Sequence, residues 1–318
     1  MKLEDTELTK VDFEDDRFRI SYFFNLERLK HSISEFGLLS PLVLAHRDGR
    51  SVIVMGWKRA LACRELSLLS IPCLILEEPD DLKAFILAIL ENASMRDFSL
   101  LELAAILKKL MAFGMAEKNI LGTYLPLFGI PQTLAHLDVY MALAELDDET
   151  KEFIHTKHAL YPVVQQLIAL NREERAVLLP HLWHLGQNKQ KELLEFLCEI
   201  SKRDDISVRE VLASEAISSV IRSTRLSPPQ KADRIRMLLR ERRYPAHSAQ
   251  EEAFESSLRK MGWPEDISIA HSPFFEGEDL SVRFAFKDSA EFKDKVQLLQ
   301  KLASSTRIED LLKSMSNE

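Results

Sequence analysis

The chain has only three cysteines, Cys63, Cys73 and Cys198. They are odd in number and form no CxxC or metal-ligand spacing, which excludes a disulfide framework and fits reduced, buried thiols. His136, His155, His158, His181 and His184 also lack ligand spacing, and neither a carboxylate cluster nor an activated nucleophile stands out. No metal site and no catalytic residue is therefore assigned. No apolar run approaches the roughly 20 residues that a membrane span needs, and Met1-Lys2-Leu3-Glu4-Asp5 lacks the apolar core of a signal peptide. These absences predict a cytoplasmic protein with no membrane partner. Positive charge is in short supply as well: 42 Lys and Arg stand against 50 Asp and Glu, a net −8 that excludes a simple nucleic-acid-coating polycation.

What is present is a chain of 318 residues, 46% of them hydrophobic, enough for two or three domains with real cores. Charge is unevenly spread. Residues 216–250 carry eight basic side chains (Arg222, Arg225, Lys231, Arg234, Arg236, Arg240, Arg242 and Arg243) against Asp233 and Glu241. Such asymmetry points to an anionic partner.

The stretch from Gly37 to Arg59 organises the first hundred residues. Strand character over 42–45 and 51–55, joined through Asp48-Gly49, predicts a β-hairpin with a tight turn. The second strand breaks at Gly56 and a helix follows at once. Lys58 and Arg59 then stand at a helix N-terminus, which makes this corner either phosphate-facing or a plain strand-to-helix turn with two solvated cations.

Around this hairpin the spacing predicts a loose acidic segment over 1–16, a first strand over 17–23 and a helix capped by Asn25 with Leu26, Leu29, Ile33 and Phe36 on one face. A helix over 57–66, a strand over 71–76 and a helix over 81–92 complete a small α+β domain with a mixed sheet. Ser99 and Glu102 have capping-box spacing and open a helix over 100–113. Helices over 117–128 and 132–145, joined through Phe128-Gly129-Ile130-Pro131, suit a helix-turn-helix, and helices continue to about 220. After Ser227-Pro228-Pro229 a short basic helix, 230–243, places Arg236, Arg240 and Arg243 on one edge, either a cationic surface or a solvated linker. A helix over 253–261, strands over 266–270 and 281–286 with a turn region through Gly277, and a helix over 289–303 close the pattern. That last segment is marginal as an independent core, so association with a partner is expected.

Three boxes carry a resemblance. Gly37-Leu38-Leu39-Ser40-Pro41, Gly56-Trp57-Lys58-Arg59-Ala60-Leu61-Ala62 and Glu91-Asn92-Ala93-Ser94-Met95-Arg96-Asp97-Phe98 occur in the order and context of the ParB-type partition proteins, whose N-terminal domain shares its fold with sulfiredoxin. Gly56, Arg59, Ala62, Glu91, Asn92 and Asp97 match the family pattern. Ser40 replaces its Gln, Trp57 its Glu, Lys58 its first Arg, Leu61 its third Arg, and Ser94 and Met95 its Gln-Arg pair. Leu146 to Ile154 also resembles the family stretch after the recognition helix.

The resemblance implies an α+β protein with a ParB/sulfiredoxin-like N-terminal domain (1–97), a helical helix-turn-helix domain (98–220), a basic linker helix (221–250) and a C-terminal dimerisation domain (251–318). It implies CTP with Mg at Gly56, Lys58, Arg59, Glu91 and Asn92, and at most a slow nucleoside triphosphatase switch, since the family's hydrolytic Glu is Trp57 here. A sulfiredoxin activity would need Cys at that same position. The resemblance also implies a homodimer, associated with the nucleoid in chromosome or plasmid partition or related regulation. DNA would be met by Gln132, Thr133 and His136, although 132–140 holds no Lys or Arg, and by Arg236, Arg240 and Arg243. The alternative is a degenerate scaffold that keeps the fold and binds neither nucleotide nor DNA.

Overall fold

A computed structural model describes residues 1–21, 23–47, 49–77, 80–264, 266–271 and 279–303. The chain divides into two units, Met1–Trp183 and His184–Glu318.

The first unit opens with a mixed five-stranded sheet in the order β1-β5-β3-β4-β2. Its strands are β1 (Lys2–Glu7), β2 (Val11–Asp12), β3 (Leu42–Arg47), β4 (Arg50–Met55) and β5 (Ser70–Leu76). The hairpin β3–β4 forms as expected, closing on the pair Arg47 and Arg50, with Gly49 at φ 78 in its turn. Asp48 lies outside the described residues. Leu42, Val43, Leu44 and Ala45 are all buried because both sheet faces are covered. Leu42, Leu44, Ile53, Ile71, Cys73 and Ile75 share a core with Ile33, Trp57, Ala60 and Cys63 from helices α1 (Glu27–Phe36) and α2 (Trp57–Glu65). Helix α3 (Asp81–Met95) packs on β4.

Three expectations fail at the N-terminus. Residues 1–16 are not loose: β1 pairs antiparallel with β5 and β2 pairs parallel with β4. Only Thr6 of β1 is buried, so a charged edge strand carries no apolar alternation to read. Residues 17–21 and 23 form no strand. Phe18 and Ile20 alternate because they plug into the core, Phe18 stacking 5.9 Å from Phe113, while the ammonium of Lys109 donates to the backbone carbonyls of Asp16 and Arg19. Asn25 is also one step from the cap: the N-cap is Leu26, and the Asn25 carboxamide accepts the Glu27 N–H at 3.1 Å.

Helix α4 (Leu100–Ala112) begins with the full Ser99/Glu102 capping box. It is followed by α5 (Glu117–Asn119), a π-helical turn over Ile120–Tyr124 and α6 (Leu125–Leu127), which run on as one segment. Then come α7 (Leu134–Ala144), α8 (Asp148–Lys157), α9 (Tyr161–Ala169) and α10 (Arg172–Leu182). Arg175, 9% exposed, clamps this region: it pairs with Asp147, the N-cap of α8, at 3.0 Å and donates to the carbonyls of Leu167 and Leu170.

The second unit holds α11 (Gln187–Asp204), α12 (Val208–Leu212), α13 (Glu215–Arg222), α14 (Pro228–Arg243) and α15 (Pro245–Met261), then the antiparallel pair β6 (Ile267–His271) and β7 (Leu280–Phe284) and helix α16 (Ser289–Ala303). Helix α15 starts eight residues before its expected start at Ala253, at a proline suited to the first helical position. The turn through Gly277 lies outside the described residues. Phe254 anchors a small core with Leu258, Trp263, Ile269 and Leu280.

Candidate nucleotide corner and adjoining cavity

Gly56 ends β4 at φ 96, a left-handed conformation that only glycine adopts without strain, and a Cβ there would stand 2.6 Å from Leu42 Cδ2. No side chain caps the first turn of α2. Trp57, 7% exposed, turns into the core, and its buried indole N–H has no hydrogen-bond partner among the described residues. The Arg19 guanidinium lies 5.3 Å from the Trp57 ring and 5.2 Å from Phe24, whose ring also meets Lys58 Nζ at 5.5 Å.

Arg59 draws the three sequence boxes together. Its Nη1 donates to the carbonyls of Ser40 at 3.0 Å and Pro41 at 2.9 Å, and its Nη2 lies 3.8 Å from Glu91 Oε1. Asn92 turns back on its own helix, donating to the carbonyl of Ala88 at 2.9 Å and accepting from Arg96. Gly56, Arg59 and Glu91 therefore meet at one corner and Asn92 adjoins it through Glu91, whereas Lys58 turns away toward Phe24.

Lys58, on the exposed side of α2, also lines a cavity of about 670 Å³. Its other basic residues are Arg96, Lys108, Lys109 and Lys151, with the imidazole of His155, against Asp97, Glu102 and Asp148. Gly56, Arg59, Glu91 and Asn92 are not among its lining residues. Arg96 grips Glu102 with two hydrogen bonds of 2.8 and 2.9 Å, and Ser21 donates to the same carboxylate. Burial alone would raise the Glu102 pKa, but Arg96, Ser21 and the Ser99 amide outweigh it and hold the carboxyl below its usual range. Burial pushes the Lys109 amine down to about 8. Burial, then His158, lowers the His155 pKa, and that imidazole stacks 4.5 Å from Phe23.

Sequence reasoning does not single out Arg96, Lys109, Lys151 or His155 as site residues. Arg96 stands inside a recognised box, and Lys108-Lys109 interrupting an apolar helix is the one further signal.

Thr133 caps α7: its hydroxyl accepts the His136 N–H at 3.3 Å and lies 2.7 Å from His136 Nδ1. His136 in turn stacks on Tyr161. Gln132 is exposed beside them. In the second unit the basic helix meets carboxylates: Arg236 reaches Glu192 at 2.5 Å, Arg240 reaches Glu251 at 3.1 Å, Arg242 reaches Asp204 at 2.7 Å, and Arg243 pairs with Glu199. Arg203 and Arg242 together hold Asp204 down to about 2. Val282, Phe286, Phe292 and Val296 are exposed, and α16 buries none of its residues.

Residues 17–93 match the ParB N-terminal domain family. The chain is 24% identical over 176 residues to a probable chromosome-partitioning protein ParB of Borreliella burgdorferi, covering 55% of this chain and 65% of that one. It is 26% identical over 196 residues to its counterpart in Vibrio cholerae, covering 61% and 64%. It thus spans just under two thirds of the length of either relative. Among solved structures, the C-terminally truncated chromosome-partitioning protein ParB from Caulobacter crescentus complexed with CTP-γ-S is 26% identical, with 54% of this chain and 93% of that one covered at a TM-score of 0.28.

Proposed function

Because the chain belongs to the ParB-type partition protein family, we propose that it is a DNA-associated partition or regulatory protein that holds CTP at the corner around Gly56 and turns it over little or not at all. The observation that carries this reading is Arg59, which joins the loop before β3, the start of α2 and the end of α3 at one point. The donor set suits a nucleotide. Lys58 and Arg59 offer charge to phosphates at a helix N-terminus, and the carboxylate of Glu91 and the amide oxygen of Asn92 are hard ligands of the kind Mg shares with phosphates. CTP with Mg would bring the polyphosphate charge; the protein's part is to bind and orient it. Lys58 also lines the neighbouring cavity, whose volume of about 670 Å³ lies in the range of small-molecule sites. Trp57 stands where the family has its hydrolytic carboxylate and is packed in the core, so no base is available from that position.

Dimerisation would run through β7 and α16, whose exposed Val282, Phe292 and Val296 are too apolar to remain in water without cost. Sequence preference on DNA would come from Gln132, Thr133 and His136, and affinity from cations elsewhere.

A second reading has its own support. Arg59 already commits Nη1 to two carbonyls, and the Arg19–Trp57 stack closes the side of the corner, as expected of a scaffold that has kept the fold alone. Thermal melting with Mg and each of CTP, ATP, GTP and UTP separates the two. A ligand that binds only the folded state raises Tm, so the nucleotide reading expects a rise with CTP. If none of the four moves Tm and direct titration also detects no binding, the scaffold reading replaces it.

A further inference from the structure

The basic segment conspicuous in the sequence is half of a zipper. Lys189 pairs with Asp233 at 2.8 Å, Glu192 with Arg236 at 2.5 Å, and Glu199 with Arg243, each across the same offset of 44 residues. A constant positive offset means that α11 and α14 run parallel, with charges facing one another at heptad-like spacing on both helices. At the last residue of α11, Asp204 holds Arg242 at 2.7 Å across a different offset of 38 residues, while α15 sends Glu251 to Arg240 at 3.1 Å. The apolar residues Ala232, Ile235 and Leu239 of α14 are fully buried, so the helix is docked by its core and the arginines are held at the rim.

This arrangement places carboxylates on four of the arginines that would otherwise reach for phosphate. Arg236 is only 12% exposed beside Glu192, whereas Arg240, Arg242 and Arg243 keep 31%, 33% and 33% of their side-chain surface. Partly exposed ion pairs are weak because water screens them, so a dense row of phosphates can exchange with them. They nonetheless cancel most of the local positive field that would steer a nucleic acid to this helix. Because the core of α14 stays docked, exchange requires only that arginine side chains swing.

We infer that α14 carries a latent polyanion-binding face, held closed by the carboxylates of α11 and α15, and that its occupant is the phosphate backbone of duplex DNA. The inference rests on the proposed association with DNA. The carboxylates then stand in for phosphates until a duplex is brought near by other parts of the chain, where raised effective concentration favours exchange.

The test uses the full chain and a duplex of arbitrary sequence, with affinity measured by fluorescence anisotropy from about 50 to 200 mM salt. Replacing Glu192→Gln, Glu199→Gln and Asp204→Asn together should tighten binding at low salt and steepen the log-log salt slope by about 0.9 for each additional phosphate neutralised. Adding Arg242→Gln and Arg243→Gln to that variant should return the slope toward the wild-type value. Should the triple variant melt early, Asp204→Asn with Glu251→Gln, at sites a quarter to a third exposed, frees Arg242 and Arg240 and should give the same direction of change. A folded variant with the wild-type affinity and slope overturns the inference. Gln132→Ala measured on two duplexes of unrelated sequence is the separate arm: a steeper slope in the carboxylate variant, with no change of preference in Gln132→Ala, upholds the inference and instead defeats the reading of DNA through Gln132, Thr133 and His136.

Discussion

Arg59 Nη1 lies 2.9 Å from the carbonyl oxygen of Pro41. This bond, with its partner at Ser40, locks the loop that enters β3 to the first turn of α2, so the corner's shape depends on a side chain that the nucleotide reading also needs. Arg59→Lys keeps one charge and loses the fork. It should lower affinity for CTP and loosen the 37–41 loop, read as faster amide exchange there, while Lys58→Ala should lower affinity and leave exchange unchanged.

Gly56→Ala should destabilise the chain. A positive φ of 96 is a strained place for alanine, at about 1 to 3 kcal/mol, and the new methyl would meet Leu42 Cδ2 at 2.6 Å. Urea unfolding measures the loss; a midpoint equal to wild type would contradict the strain assigned to the corner.

Arg175→Ala should cost about 1 to 3 kcal/mol, the range for leaving buried polar groups without their hydrogen-bond partner. Asp147 is left without its guanidinium, and the carbonyls of Leu167 and Leu170 lose a donor. Denaturant unfolding checks this, and a loss below about 1 kcal/mol would place the pair among ordinary surface bridges.

Lys109 makes stability depend on alkaline pH. Its folded pKa of about 8 lies below the unfolded value of about 10.4. Between those values the unfolded chain binds more protons, so stability should rise with pH across that window; below about 8 both states are charged and the cost of burying the ammonium is felt in full. Comparing wild type with Lys109→Met, which has no such titration, isolates the slope. Parallel pH profiles for the two would contradict it.

Phe292→Glu with Val296→Glu should convert a dimer to a monomer in sedimentation while the far-UV circular dichroism spectrum stays that of the wild type, since both side chains are exposed in the single chain. A variant that still sediments as a dimer places the interface elsewhere.

The sequence is legible where a signal is local. The hairpin, the Gly56 corner and the Ser99/Glu102 capping box depend on neighbouring residues and appear where expected. Strand β1 is illegible because its charged residues sit on a sheet edge, and its pairing partner lies some 70 residues away. Phe18 and Ile20 imitate a strand because two buried side chains flanking Arg19 have the same spacing in an extended loop as in a sheet. The basic segment shows its charge in the sequence but not its partners, since Glu192 and Glu199 lie 44 residues before the arginines they hold. At the corner, the boxes name Gly56, Lys58, Arg59, Glu91 and Asn92, whereas the cavity's Lys151 and His155 come from α8, a hundred residues on.

The nucleotide corner is tested most directly by incubating the full chain with Mg and CTP labelled on its γ-phosphate, and following bound label and released phosphate in the same sample. The expected result is saturable binding with phosphate release far below about 1 per second, the lower end of ordinary enzyme turnover. Absence of saturable binding, or sustained release at an ordinary enzyme's rate, would contradict it.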